Sequence, residues 1–182
     1  VSLFWGMEPS AIAAAKQGGL AVLASVGSAQ EARIAEDAGA DVIVAQGWEA
    51  GGHVWGQVST MALIPAVVDT VDIPVVAAGG IADGRGMAAA LMLGASGVWI
   101  GTRFLASSEA TIHDEYRDRI LNASETETEW YSDLYDVYWP DAPHRALKNS
   151  TAELWIEAGA PAPGDRPNEQ EVIGYRPNGD AV

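Results

Sequence analysis

His53 stands in the stretch AQGWEAGGHVWG, Ala45 to Gly56, among four glycines, two tryptophans and one glutamate. An imidazole gains and loses its proton near neutral pH. In a ligand-facing loop it can therefore abstract a proton or steady a negative charge growing on a substrate. Gly51 and Gly52 let backbone lie against a flat ligand, and Trp48 and Trp55 are suited to wall an apolar pocket. The competing reading is a histidine bonded to a backbone carbonyl with no chemical duty. Its place directly after the apolar run DVIVAQ, the carboxyl end of an expected strand, favours the functional reading.

Two later loops carry a different chemistry. AAGGIADGRG, Ala77 to Gly86, follows one apolar run and opens a helix. Gly79 and Gly80 permit close approach of backbone to an anion, and the amides from Asp83 to Gly86 add the positive end of a helix. The next apolar run ends in IGTRF, where the amides of Gly101 and Thr102 and the threonine hydroxyl can complete a phosphate cradle. Glycines that merely permit tight turns would leave the same trace, but two such loops in tandem favour phosphate.

The remaining candidates are weaker. Glu49 is expected to brace its loop by accepting N–H bonds rather than to act as a base. Gln46 is placed to bond a heterocycle edge or to cap its strand. Arg103 is expected in a surface ion pair, His113 in a solvated helix, and His144 in a structural role. No group of His, Asp and Glu has metal-ligand spacing, so no metal is expected.

These loops must be held by a scaffold, and the pattern supplies one. VSLFWG, GGLAVLASVG, DVIVAQG, IPVVAAGG and GVWIGT are short, apolar on consecutive positions and mostly closed by glycine. Such runs read as strands buried on both faces of a parallel sheet. Helices are expected between them: one from Pro9 to Gly18, and one from the N-cap Ser28, with Glu31 completing a capping box and Gly39 ending it. Another is expected from Thr60, with Pro65 kinking it or delaying its start, and one from the cap Asp83 to Gly94. A last long helix is expected from Ser107 or Ser108. The repeat of strand and helix, with phosphate-type loops at the carboxyl ends, indicates an α/β fold of the (β/α)8 barrel type. A whole barrel takes about 250 residues, so a chain of 182 holds its later part. The opening residue is Val1, already inside an apolar run, which suggests a fragment. Residues 1–124 are read as the later part of the barrel. Residues 125–182 are read as an extension of the same domain, with a short helix near Thr151 to Ala158 and an irregular tail.

Composition narrows the partners. Twenty-five acidic residues against ten basic give a net charge of −15, which repels nucleic acid and anionic membranes. The chain has no cysteine, so disulfides, thiolate metal sites and cysteine nucleophiles are excluded for it. A cytoplasmic protein is expected; the oligomeric state is left open.

The motifs AQGWEAGGH, IPVVAAGGIADGRG and GVWIGTRFLAS, in that order, closely resemble the nitronate monooxygenase family, formerly the 2-nitropropane dioxygenases. The resemblance runs from Val1 to about Leu121, and PHRALKNSTAELW resembles the family's C-terminal region. It implies an FMN-dependent barrel in which Val1 to Gly6 is the fourth strand and Gly97 to Gly101 the eighth. It further implies oxidation of alkyl nitronates or nitroalkanes by O2 to carbonyl compounds and nitrite. His53 is then the catalytic histidine, with Gln46, Gly51 and Gly52 beside the flavin and Gly79, Gly80, Gly101 and Thr102 around its phosphate. Ser28 is a further, less supported neighbour of the site. The same motifs are similar to enoyl-acyl carrier protein reductase II and related quinone reductases, which implies an FMN-dependent NAD(P)H reductase as the alternative. A non-redox phosphate-binding barrel and an inactive truncated product are the alternatives of another class.

Overall fold

The structure, a computed structural model, describes residues 1–4, 8–134 and 142–167. In chain order its elements begin with β1 (Ser2–Leu3), α1 (Pro9–Gln17), β2 (Leu23–Val26), α2 (Ala29–Asp37) and β3 (Val42–Gln46). There follow β4 (Gly52–His53), α3 (Thr60–Val68), β5 (Val75–Ala78), α4 (Gly84–Met92) and β6 (Gly97–Trp99). The last are α5 (Thr102–Leu105), α6 (Asp114–Asn122), β7 (Thr128–Tyr131), β8 (His144–Leu147) and α7 (Ser150–Glu157). They form two compact units, one of Val1–Ala50 with Val54–Ile100, the other of Gly51–His53 with the chain from Gly101 onward. Trp5 and Gly6 of the expected first strand lie outside the described residues, as does the expected tail beyond residue 167.

The first unit is built on a five-stranded parallel sheet in the order β1-β2-β3-β5-β6. Each parallel strand lies beside its successor in the chain, so the winding never reverses. A doubly wound sheet would show a switch point; this order is that of a barrel wall. Runs such as Ile43, Val44 and Ala45 are buried on consecutive positions because helices cover what alternate residues present. The helices return the matching apolar faces: Ile12 from α1, Ala32 and Ala35 from α2, and Leu63, Ile64 and Val67 from α3. Burying each such Ile or Leu contributes about 1.5–3 kcal/mol.

Helix ends follow their caps. Ser28 accepts from the Glu31 amide at 3.2 Å, while the Glu31 carboxylate reaches the Gly27 amide at 2.6 Å, one residue beyond a capping box. Asp83 accepts from the Arg85 and Gly86 amides, and Gly39 and Gly94 close their helices at φ 99° and 100°. Pro65 sits inside α3, whose start stays at Thr60.

The second unit holds α5, α6, α7 and a three-stranded antiparallel sheet in the order β4-β8-β7. Its core is Tyr131, Leu134, Ala152 and Trp155. Arg166 is almost fully buried and donates to the carbonyls of Leu134 and Asp133 at 3.1 and 2.6 Å. The long helix expected from Ser107 or Ser108 starts instead at Asp114. His113 caps it, its Nδ1 accepting from the Glu115 amide, and Asp114 and Glu115 place negative charge in the first turn. His113 is exposed, as expected, but stands just before the helix rather than inside it. Strands β7 and β8 are likewise additional to the short helix expected in this region.

Candidate active site

In the first unit the site is built around the tips of β3 and β5. Gln46 ends β3 opposite Ala78, which ends β5, and the Gly47 amide donates to the Ala78 carbonyl at 2.9 Å. The two turns that follow are packed backbone on backbone. A Cβ on Gly79 would lie 2.9 Å from the Gly47 carbonyl oxygen, and Gly79 has φ 98°. Glycine is therefore required there by sterics and by conformation. Gly80 has φ 67°, and a Cβ there would lie 3.2 Å from Cβ of Glu49. Gln46, Gly79 and Gly80 are thus brought together at the tips of these two strands.

The loop entering the histidine stretch is tied down by Glu49. One carboxylate oxygen accepts from the amide of Thr60 at 2.8 Å and lies 2.9 Å from its hydroxyl, whose one hydrogen it shares with the Gly79 carbonyl at 3.0 Å. That bond caps α3 from outside, since Ser59 makes no side-chain cap. Beyond His53 the chain is anchored again. Gly56 and Gly27 touch so closely that a Cβ on either would lie 2.7 Å from the other's Cα. Trp55 packs edge-on against Phe4 at 5.0 Å and donates from Nε1 to Glu31 at 3.2 Å. Trp55 is therefore engaged in this packing. Ser28, a less supported candidate, is engaged as the cap of α2.

The amides assigned to the anion from Asp83 to Gly86 are partly taken. Arg85 and Gly86 donate to the Asp83 carboxylate, which Arg85 also neutralises and holds down to about pKa 2. An anion at this turn would depend on Gly79 and Gly80 rather than on those amides.

Between the two anchors, Gly51–His53 belong to the second unit. His53 lies on the two-residue strand β4, where a free loop was expected, and is half-buried. Burial pushes its imidazole below the ordinary pKa of 6.5, which favours the neutral, proton-accepting form at neutral pH. Gly52 has φ 77°. Gly51 approaches Thr102 so closely that a Cβ would lie 2.7 Å from its Oγ1. Gly51, Gly52, His53, Gly101 and Thr102 thus all fall in this unit.

Gly101 is different in kind. Its φ of −102° suits any residue, and a Cβ would meet nothing within 4 Å. Neither backbone nor packing demands glycine there. No side chain caps the turn that follows at α5.

One neighbour of His53 was missed. His144, read from sequence as structural, is the register partner of His53 across β4 and β8, with the ring centroids 4.5 Å apart and the planes at 74°. Spacing in the sequence carries no signal for a pairing between segments so far apart. Among the described residues no cluster of three His, Asp or Glu could hold a metal ion, and no helix is long and apolar enough to cross a membrane.

A family model for nitronate monooxygenase matches residues 1–171. The chain belongs to the nitronate monooxygenase family. Solved structures are similar over most of the chain. The FabK structure from Thermotoga maritima is 41% identical, with a TM-score of 0.78 over 87% of this chain and 50% of that one. Nitroalkane oxidase from Streptomyces ansochromogenes is 32% identical, with a TM-score of 0.75 over 90% and 48%. Among curated proteins, a (3aS,4S,5R,7aS)-5-hydroxy-7a-methyl-1-oxo-octahydro-1H-indene-4-carboxyl-CoA dehydrogenase of Rhodococcus jostii strain RHA1 is 51% identical over 110 residues. That stretch is 60% of this chain and 31% of the relative, so the chain spans well under half of that relative's length. Within the nitronate monooxygenase family the parallel sheet is part of a (β/α)8 barrel, about its fourth to eighth strands.

Proposed function

We propose that the full-length protein is an FMN-dependent oxidoreductase of the cytoplasm that converts alkyl nitronates, or nitroalkanes it first deprotonates, to carbonyl compounds and nitrite with O2. In this reading residues 1–124 are the later part of the barrel and residues 125–182 its extension. The observation that carries it is His53: a half-buried imidazole, biased toward its neutral form, on a short strand after two glycines. Family membership supplies the redox context.

Bound FMN would supply the electron transfer; the chain's own residues supply binding and proton handling. Gly79, Gly80, Gly101 and Thr102 would hold the phosphate through backbone amides and one hydroxyl. Gln46, Gly51 and Gly52 would lie beside the ring system, where the glycines leave room for a flat group. His53 would take the α-proton of a neutral nitroalkane at a ring nitrogen, or stand as hydrogen-bond partner to a nitronate that arrives already anionic.

A second reading is favoured by the 51% identity to the Rhodococcus indene-4-carboxyl-CoA dehydrogenase and the 41% identity to FabK. It keeps the flavin and His53 but moves hydride between a nicotinamide and a thioester substrate, as in enoyl-acyl carrier protein reductase II. One preparation separates the two. The full-length protein is expected to be yellow and to release FMN on denaturation. Nitrite formed from an alkyl nitronate in air without NADH supports the first reading. Rapid anaerobic bleaching by NADH, with no nitrite formed in air, would establish the second instead. A colourless protein with no affinity for FMN would contradict both.

A further inference from the structure

We propose that His144 is a positioning residue for His53, a second imidazole that fixes the orientation of the first. The proposal rests on the reading of His53 as the acid–base group given above.

Strand β4 has two residues and follows glycine, so it has little rigidity of its own. Its order comes from β8, against which Gly52 pairs with Arg145 and His53 with His144. Residues directly opposite in an antiparallel pair project to the same face with their Cβ atoms about 4.5–5.5 Å apart. The rings of His53 and His144 meet edge to face at 4.5 Å, a geometry that restricts the rotamers of both.

His144 is itself held from behind. Strand β8 is central in its sheet, and the partner of His144 on the other side is Tyr131. Tyr131 is buried and packs edge to face on Trp155 of α7 at 6.3 Å. The row His53, His144, Tyr131 therefore lies along one face of the sheet, backed by a small core.

Charge then separates the two imidazoles. The titratable groups of the packed strands on this face are His53 from β4 and Tyr131 and Glu129 from β7, with Glu129 opposite Ala146 and exposed. Arg145 alternates to the other face, opposite Gly52 and Trp130. Two cationic rings this close repel, so one proton is carried at a time. Burial first, and the charge on His53 second, push His144 down to about 4. His144 is then the neutral member while His53 titrates.

The test is a histidine-ring NMR titration of the full-length protein, of His53→Phe and of His144→Phe, with each signal assigned by its loss. His53→Phe is expected to raise the His144 midpoint, because the competing cation is gone. His144→Phe is expected to leave the His53 midpoint nearly in place, because its neighbour was already neutral. An unmoved His144 midpoint in His53→Phe would overturn the pairing. Kinetics with a neutral nitroalkane supply the positioning readout. His144→Ala is expected to lower kcat on the order of 10- to 100-fold at unchanged KM and flavin content, with partial rescue by His144→Phe, which refills the ring volume. Unchanged kcat in His144→Ala would refute the positioning role. Absence of flavin from the wild type would sink the proposed function instead, and the titration would still decide the pair.

Discussion

A single oxygen of Glu49 accepts the amide hydrogen of Thr60 and shares its hydroxyl hydrogen with the Gly79 carbonyl, joining the entrance of the histidine loop to the first residue of α3. The carboxylate caps a helix whose own N-cap side chain does not. Removing it leaves the amide of the buried Thr60 without that acceptor, while the hydroxyl keeps the Gly79 carbonyl at 3.0 Å. Glu49→Ala is expected to destabilise the full-length protein by about 1–3 kcal/mol in urea denaturation. Glu49→Gln keeps an acceptor oxygen and should lose less. Equal loss in both variants would show that the charge, not the acceptor geometry, matters here.

Gly79 and Gly101 make opposite predictions although both were assigned to one phosphate. At Gly79 an alanine meets a carbonyl oxygen and a positive φ, so Gly79→Ala should cost about 1–3 kcal/mol of stability. At Gly101 neither obstacle exists, and Gly101→Ala should stay within about 0.5 kcal/mol of wild type in thermal or urea unfolding. Its effect should appear as weaker FMN affinity, read by fluorescence titration of the apoprotein. A Gly101→Ala protein that binds FMN normally would remove that residue from the phosphate site.

His144 gives the pH dependence a sign. In the unfolded chain it takes its proton at the ordinary 6.5, in the fold only near 4. Between those values the unfolded state binds more protons, so its contribution to stability is full above 6.5 and is lost as pH falls toward 4. Urea midpoints of the wild type should fall through that window more steeply than those of His144→Phe. Parallel pH profiles would contradict the buried, neutral imidazole.

The sequence shows its scaffold more readily than its site. Ser28, Asp83, Gly39 and Gly94 mark helix ends through local chemistry, and consecutive apolar residues in β2, β3 and β5 mark buried parallel strands, so these were legible. The role of Glu49 as a brace was legible too, because a carboxylate near free amides has an obvious use. The start of α6 was missed because Ser107 and Ser108 offer cap chemistry that the fold does not use, while His113 is an uncommon cap. The partnership of His53 with His144 was not legible. It depends on an antiparallel register between a two-residue strand and a distant one, and no local pattern encodes it.

The most direct measurement of the central claim is turnover of a neutral nitroalkane by His53→Gln in the full-length protein, with bound FMN quantified in the same sample. With FMN content unchanged, kcat is expected to fall by roughly 10²–10⁴-fold, and an alkyl nitronate, already deprotonated, should suffer less. A His53→Gln enzyme that keeps its flavin and turns over the neutral substrate at the wild-type rate would contradict the assignment of His53 as the acid–base group.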